Sequence, residues 1–401
     1  MKLSEELMYR GFVAQNTLDK ITDLDGKKRS FYWGTDPSAD SLHTGHLAAL
    51  MMLKIFIKNG YKPYLLVGGA TGMIGDPKAS SERDTKTIEE IRQNSLGLSK
   101  QIQHIMGRKV PLVNNYDWFK DINVLDFLRE VGKQFSMTQL LDREFVKARI
   151  GKDGSGISLA EFCYSTIQGY DFLHLYRAYG IDLQLCGADQ FGNCVSGMQL
   201  IRKLENARAD VWSCPLILDA DGVKFGKSEG NAIWLDPKRT SPFEYYQFWL
   251  NTSDEKVGEL IKIYTEIEPA EINEIMALHA KNPGARSAQK ALALAATEIL
   301  HGRETAVNVT HISNVLFGDE DVRELSKDGL KLLAETIPVA KKGITAVEAL
   351  VATDNAASNS EAIRLIKGNA ISVNGEKITA DAKISELSLI KKGKNSFVLV
   401  K

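Results

Sequence analysis

The sequence predicts an α/β fold, a doubly wound parallel sheet followed by an α-helical domain and a small C-terminal α/β domain. Three observations carry this. Through the first half, short apolar segments alternate with longer helical patterns, which argues for parallel strands joined by crossover helices. From about Ser241 to Phe317 apolar residues recur at three- and four-residue spacing with few glycines, the pattern of amphipathic helices. Near the C-terminus a short helix leads into a strand ending on Asn374-Gly375, a strong hairpin turn.

In chain order, the first strand is expected at Ser30 to Trp33, a helix from about His46 to Asn59, and a second strand at Tyr64 to Val67, running into Gly68-Gly69. A further strand at Asp182 to Leu185 opens into Gly187-Ala188-Asp189-Gln190. Ligands of such sheets bind beyond the carboxyl ends of the strands, where His43, Gly68, Gly69 and Asp76 fall. Asp319 to Lys342 reads as a connection carrying one short helix, ended by Pro338 and Lys341-Lys342-Gly343. Beyond it comes a helix over Ser360 to Lys367, then the hairpin at Ile371 to Gly375.

With 401 residues, 44% of them hydrophobic, the chain can bury a large core and divide into two or three domains. The formal net charge of -1 gives no global attraction to nucleic acid, so local charge decides. Residues 341–401 carry ten Lys and Arg against six Asp and Glu, a basic terminal module suited to RNA contact. The four cysteines, Cys163, Cys186, Cys194 and Cys214, show no Cys-x-x-Cys spacing, which suits reduced thiols better than a disulfide framework or zinc site. The N-terminus lacks an apolar signal core, and no apolar run reaches the roughly 18 residues a membrane span requires. A cytoplasmic enzyme without a membrane segment is expected.

His43-Thr44-Gly45-His46 is the most informative stretch. Two imidazoles three residues apart at a helix start point the same way and can donate to phosphate oxygens, while Gly45 lets a flat adenine lie against the backbone. Far downstream, Lys224-Phe225-Gly226-Lys227-Ser228 supplies a second phosphate-gripping loop, flanked by Gly222. Together the two motifs predict nucleotidyl transfer from ATP. No third ligand of the usual spacing accompanies His43 and His46, so no protein-bound metal is expected there.

The matching stretches extend further: Asp36-Pro37-Ser38-Ala39-Asp40-Ser41-Leu42-His43, Gly68 to Pro77, Gln168-Gly169-Tyr170-Asp171-Phe172, Gly187 to Gln190, Lys224 to Ser228, and Thr240-Ser241-Pro242-Phe243. In this order they are specific, and over nearly its whole length the chain resembles bacterial-type tyrosyl-tRNA synthetases, class I enzymes with a Rossmann-like catalytic domain. The resemblance implies that tyrosine is activated with ATP, which enters with Mg2+, to tyrosyl-adenylate and pyrophosphate, and is then moved to the terminal adenosine of tRNA(Tyr). It assigns catalytic roles to His43, His46, Lys224, Lys227 and Ser228, which hold the phosphates and leaving pyrophosphate in the transition state. Tyr32 and Asp171 would bond the substrate hydroxyl, Asp76, Tyr164 and Gln168 its α-ammonium, and Gln190 would sit near the reacting carboxylate. Gly34, Asp36, Ser38, Gly45, Gly187, Asp189 and Gly192 would line the ATP side. Tyr170 is assigned to helix-face packing. Trp33, Thr35 and Phe191 depart from the usual pattern around the ATP pocket. No segment suggests an editing domain, as fits a family that is itself the standard worked case of rejecting phenylalanine without editing.

The domain boundaries so implied are a Rossmann-like catalytic domain over 1–220 with a dimer-forming insertion around 115–165, the phosphate loop and helical domain over 221–325, a linker over 326–342, and an RNA-binding domain of ribosomal-protein type over 343–401. The insertion, with Leu159 where relatives often place an aromatic contact, implies a homodimer. Arg202, Lys203, Arg208, Arg364 and Lys391 are the candidate tRNA contacts. Three rival readings share some of these motifs: a tryptophanyl-tRNA synthetase, against which Tyr32 and Asp171 argue because an indole only donates, a cofactor-type adenylyltransferase, which leaves the tyrosine-pocket residues and the basic C-terminal module unexplained, and a synthetase-derived RNA-binding or splicing protein.

Overall fold

A computed structural model of the chain describes residues 1–77, 86–141, 144–150, 155–218 and 232–401. The chain divides into two compact units, Met1–Asp236 with Glu259–Pro269, and Pro237–Gly258 with Ala270–Lys401.

The first unit is organised by a five-stranded parallel sheet in the order β3-β2-β1-β4-β5, with β1 at Ser30–Thr35, β2 at Lys62–Val67, β3 at Leu112–Asn114, β4 at Leu183–Gly187 and β5 at Asp210–Cys214. The expected strands at 30, 64 and 182 are present within a residue or two, and the helix expected from His46 starts at Thr44. Strands β3 and β5 were not anticipated. The first is three residues long and the second carries Asp210 and Ser213, too little apolar alternation to stand out.

Helices of this unit are α1 (Leu3–Arg10), α2 (Thr44–Lys58), α3 (Thr71–Ile74), α4 (Ile88–Met106), the insertion helices α5 (Tyr116–Phe119), α6 (Val124–Glu130), α7 (Met137–Leu141) and α8 (Glu144–Ile150), then α9 (Leu159–Tyr179) and α10 (Phe191–Glu205). Alternation along β1 sorts the sheet into two faces. Phe31 and Trp33 turn to one face, where Phe56 of α2 lies 5.7 Å from the Phe31 ring and 6.4 Å from that of Trp212. Tyr32 turns to the other, into a core with Leu66, Cys186, Val211, Phe172, Leu200 and Ile201, closed by α9 and α10. These two helices cross at glycines: a Cβ on Gly197 would stand 2.7 Å from Phe172 Cβ and 3.0 Å from the Gly169 carbonyl. The sheet thus has helices on both faces, and its order reverses at β1, which sets the crevice between β1 and β4.

In the second unit the described helices are α11 (Pro242–Leu250), α12 (Asp254–Tyr264, which ends in the first unit), α13 (Pro269–Lys281), α14 (Ser287–His301), α15 (Arg303–Phe317) and α16 (Lys327–Thr336). Ser241 opens α11 with a capping box, accepting from Glu244 N at 3.2 Å while the Glu244 carboxylate takes Ser241 N at 2.8 Å. A second sheet follows, ordered β6-β12-β11-β8-β9, from Val339–Ala340 (β6), Ile371–Val373 (β8), Glu376–Lys377 (β9), Ser388–Lys392 (β11) and Ser396–Val400 (β12), with the short pair Ile344–Thr345 (β7) and Lys383–Ile384 (β10) beside it. Helices α17 (Ala346–Ala352) and α18 (Asn359–Lys367) cover its core. The expected hairpin is present: Asn374 and Gly375 take φ of +49° and +83° between β8 and β9. Leu389, Phe397 and Leu399 also pack with Ile312, Leu316 and Leu333, so the terminal sheet and the helices before it share a core.

Candidate active site

Each loop at the carboxyl end of a strand delivers one part of the site. Asp36 follows β1, Gly68 to Thr71 follow β2, Asn114 ends β3 with Asn115 after it, and Gly187 ends β4 with Ala188 to Gln190 after it. Gly34, one residue before the end of the central strand, stays exposed on the same face as Tyr32, which is where the crevice opens.

The buried end of the crevice is a run of closed hydrogen bonds. Asp171, on α9 and 2% exposed, accepts from Trp118 Nε1 at 3.0 Å and from Asn115 Nδ2 at 3.1 Å. Burial pushes its carboxyl well above the usual range, with the Asp36 charge adding and the two donors opposing. Tyr32 is 2% exposed, its ring 5.2 Å from that of Phe172, and its hydroxyl has no partner. Burial, with Cys194 and Asp171 nearby, holds that phenol well above its ordinary pKa, so it stays protonated. A buried hydroxyl left unpaired is costly, and beside a carboxylate it marks a place for a group that both donates and accepts.

Nearer the sheet edge Asp36 takes the Thr71 hydroxyl at 2.6 Å on one oxygen and the Tyr164 hydroxyl at 2.7 Å on the other. Tyr164 is buried, and burial with the Asp36 and Asp76 charges raises its pKa well above the ordinary value. Asp76 accepts from Gln190 Nε2 at 2.8 Å, and Gln168 Nε2 lies 3.4 Å from Gln190 Oε1. Gln168 Oε1 is buried without a partner. The structure therefore brings Tyr32, Asp171, Asp36, Tyr164, Asp76, Gln168 and Gln190 together, three carboxylates and an open acceptor on Gln168 where a cationic ammonium can sit. Tyr170 packs between Phe119 and Phe127, as its packing assignment required.

His43 is the N-cap of α2, and its Nδ1 accepts from Gly45 N at 3.1 Å; His46 Nδ1 accepts from His43 N at 3.3 Å. These backbone bonds place the proton of each ring on Nε2, the nitrogen turned away from the turn. The two rings lie 4.0 Å apart, both half-buried, at the positive end of a fifteen-residue helix. Ile233 to Asp236 run back alongside them: Ile233 O accepts from Thr44 N at 3.1 Å, Leu235 N donates to Leu42 O at 2.8 Å, and the Trp234 ring stands 6.3 Å from that of His43. Lys224, Lys227 and Ser228 lie outside the described residues, as do Gly222 and Gly226. The chain that follows them is fixed beside His43.

Of the ATP-side candidates, Gly34, Ser38, Gly45, Asp189 and Gly192 are exposed, while Gly187 is half-buried, where a Cβ would stand 2.8 Å from Asp189 Oδ1. Gly45 also has a reason internal to the chain: its Cβ would meet His43 Cε1 at 2.9 Å. Gly68, placed by the sequence at the strand end where ligands bind, makes room for the protein itself, since a Cβ there would fall 2.1 Å from Asp36 Oδ1 and 2.2 Å from Thr71 Oγ1. Trp33 and Thr35 face away from Tyr32 and are buried, so neither narrows the crevice. Phe191 packs against the Tyr32 core.

The basic candidates are placed elsewhere. Arg202 and Lys203 are exposed at the far end of α10 from Gln190, with Lys203 Nζ donating to Gln134 O, and Arg208 pairs with Asp19 at 2.7 Å and Asp210 at 3.4 Å. Arg364 is exposed on α18. Lys391 is drawn into the fold, its Nζ donating to Leu316 O at 3.2 Å and lying 5.4 Å from the Phe397 ring centroid. Among the described residues, no three His, Cys, Asp or Glu side chains form a group that could hold a metal ion, and no helix is long and apolar enough to cross a membrane. Sequence reasoning missed Thr71, Asn115 and Trp118, and also Asn193, whose Nδ2 donates to Asp76 Oδ1 at 3.5 Å. The Asn114-Asn115 doublet ending the apolar run Leu112-Val113 was the one signal that could have marked a strand end facing the site.

A family model described as tRNA synthetases class I (W and Y) matches residues 24–318. A tyrosine--tRNA ligase of Bacteroides thetaiotaomicron is 40% identical, covering 100% of this chain and 99% of its own length. Tyrosine--tRNA ligase 2 of Bacillus cereus is also 40% identical, with 100% of both chains covered. Among solved structures, a C-terminally truncated Aspergillus nidulans mitochondrial tyrosyl-tRNA synthetase superposes with a TM-score of 0.71 at 28% identity, covering 79% of this chain and 94% of that one.

Proposed function

The chain belongs to the class I tRNA synthetases of the tryptophan and tyrosine group, and we propose that it is the tyrosine-specific kind, activating L-tyrosine with ATP to tyrosyl-adenylate and pyrophosphate and then charging tRNA(Tyr). The observation that carries this is the buried Tyr32 hydroxyl without a partner beside the Asp171 carboxylate. A phenol answers both groups, donating to Asp171 and accepting from Tyr32. An indole N–H only donates and would leave Tyr32 unpaired, which sets the tryptophan reading aside.

In this reading Asp76, Tyr164 and Gln168 hold the α-ammonium, and Gln190, bonded to Asp76, orients the carboxylate for attack on the α-phosphate. The carboxylate oxygen forms the new bond to phosphorus while the bond to pyrophosphate breaks. No side chain becomes covalently attached, so positioning and charge stabilisation carry the rate. The Nε2–H groups of His43 and His46 donate to phosphate oxygens as negative charge grows there, and Lys224, Lys227 and Ser228 take the leaving pyrophosphate. ATP comes as its magnesium complex, the ion held by phosphate oxygens and water. Asp36, Gly34, Ser38, Gly45, Gly187, Asp189 and Gly192 border the nucleotide. Pyrophosphate exchange into ATP, run with each of the twenty amino acids, tests the reading: tyrosine alone should support it, and exchange driven by tryptophan would overturn it.

The basic face of the C-terminal module, with Arg364, Lys367 and Lys394 exposed, takes the tRNA backbone, and Arg202, Lys203 and Arg208 form a second basic patch for it. Charge reversal is a cleaner probe than truncation, because cutting before Lys341 would take β12 from β6 and open the core around Leu316 and Leu399. Arg364→Glu should weaken charging while leaving pyrophosphate exchange intact. Exposed apolar side chains on the insertion, Leu125 at 71% and Leu159 at 78% with Val124, Leu128 and Met137, support a homodimer. Sedimentation of Leu125→Asp should show monomer at concentrations where the unaltered chain is dimeric. We place the enzyme in the cytoplasm, where its tRNA and ATP are found and where its four free cysteines stay reduced.

A further inference from the structure

We propose that Thr71 and Asn115 are positioning residues that join the phenol end of the site to the ATP end, so that the two substrates bind cooperatively through them. The inference rests on the tyrosine–ATP reading above.

The orientation of Asn115 is forced. Its Oδ1 accepts from Ala70 N at 2.7 Å, which leaves Nδ2 as the nitrogen facing Thr71 Oγ1 at 3.0 Å and Asp171 Oδ2 at 3.1 Å. Turning the amide over would set its oxygen against the Asp171 carboxylate. Thr71 has one hydroxyl proton, and Asp36 Oδ1 at 2.6 Å can only accept it, so toward Asn115 the hydroxyl oxygen must itself accept. Asp36 Oδ2 takes the Tyr164 hydroxyl at 2.7 Å, and Asp171 Oδ1 takes Trp118 Nε1 at 3.0 Å. From Trp118 to Tyr164 the chain of bonds is continuous, each bond has a fixed sense, and donors converge on the Asp171 and Asp36 carboxylates from both sides.

Asn115 is fully buried and Thr71 is 2% exposed. Gly68 confirms how tightly the Asp36–Thr71 bond is seated, since a Cβ there would overlap both oxygens. Phenol binding at Asp171 redistributes the carboxylate's bonds, and among the described residues the amide that shares that carboxylate with the ATP side is Asn115. Its other hydrogen sets the Thr71 oxygen, and the Thr71 proton sets Asp36, which borders the nucleotide. Contiguous groups with no spare donor are the arrangement through which one ligand changes the affinity for another, and such coupling must be reciprocal.

Thr71→Val keeps shape and removes the hydroxyl, Thr71→Ser restores it, and Gly68→Ala disturbs the same bond from the other side. Tyrosine affinity is measured by equilibrium dialysis with and without a non-hydrolysable ATP analogue, and exchange kinetics give KM for ATP and kcat. In the unaltered protein the analogue should tighten tyrosine binding. In Thr71→Val tyrosine alone should bind within about twofold of the original, while the analogue's effect falls to about none and kcat/KM for ATP drops on the order of tenfold, about the worth of one buried hydrogen bond. Thr71→Ser should recover most of both, and Gly68→Ala should reproduce the loss. If Thr71→Val keeps the coupling, or loses tyrosine affinity in step with ATP, the relay is wrong. Absence of tyrosine-dependent exchange in the unaltered protein would instead overturn the function itself, whatever the variants do.

Discussion

At the phenol end of the crevice Asp171, Asn115, Thr71 and Tyr32 are each nearly inaccessible, and all their polar groups but one are already bonded before any ligand arrives. At the end we propose for the phosphates His43 and His46 are half-buried and bond through Nδ1 to the backbone of their own turn. One end is built to recognise a fixed shape in the ground state. The other, in the function proposed above, offers donors to a charge distribution that exists fully only as the α-phosphate is attacked. Binding contacts made equally in both states lower KM, whereas contacts made in the transition state raise kcat, so the two ends should separate kinetically.

The sharpest break should come at Asp171. In Asp171→Asn one amide side must face a donor, Trp118 or Asn115, and the phenol loses its charged acceptor; tyrosine-dependent exchange should fall by about a thousandfold or more, chiefly through tyrosine affinity. The same variant reads the cost of the buried charge. Folding raises this carboxyl, so the native chain holds its proton to higher pH than the unfolded chain, and unliganded stability falls as pH rises above the unfolded value near about 4. The variant lacks that slope, so thermal unfolding should show it least stable relative to the original at low pH, with the gap narrowing as pH rises. A gap that widens toward neutral pH would mean that the fold favours the ionised Asp171 carboxylate.

His43→Asn probes the opposite end. Asparagine keeps the N-cap, so α2 should hold, but the Nε2 donor is gone. The expected result is a fall of about a hundredfold in the activation rate with tyrosine affinity within about twofold, measured by pre-steady-state adenylate formation. Equal losses in both quantities would erase the contrast between the ends.

The same contrast explains what could be read from the sequence. Motif residues that we propose touch substrate were legible because their chemistry is dictated from outside: Gln190 bonds Asp76, the His43 and His46 rings lie together, and Tyr32 lies near Asp171. Thr71, Asn115 and Trp118 were not, because their role is set by partners 35 to 56 positions away in the chain, and no local pattern encodes such a meeting. Gly68 and Gly45 show the intermediate case. Each was visible as a demand for space, but which atoms fill that space, Asp36 and Thr71 at one and the His43 ring at the other, is known only from the fold. Strands β1, β2 and β4 carried apolar runs and were readable; β3 and β5, short or interrupted by polar residues, were recruited by their neighbours.

A smaller effect is expected from Tyr32→Phe. The free protein carries an unpaired buried hydroxyl, and removing it should raise the unliganded Tm, by about 2 °C or more per kcal/mol recovered, while weakening tyrosine binding about tenfold. Scanning calorimetry with and without tyrosine separates the two. A variant less stable than the original when unliganded would show that the hydroxyl is satisfied in solution.

Gly45→Ala gives the finest test, because it bears on what the glycine is for. If adenine lies against the Gly45 backbone, an added methyl obstructs the nucleotide and KM for ATP rises. The structure offers a different obstacle: the new Cβ would stand 2.9 Å from His43 Cε1 and 3.1 Å from its Nδ1, so the ring must swing away from the Gly45 N–H that orients it. A displaced donor costs rate more than binding, and a shift of a fraction of an ångström should lower kcat by roughly tenfold with both substrate affinities near their original values. Alanine in the first turn of α2 favours the helix by up to about 1 kcal/mol, so Tm should hold or rise and loss of folding is excluded as the cause. A rise in KM for ATP with kcat unchanged would return the glycine to the nucleotide and leave the His43 ring free to move without penalty.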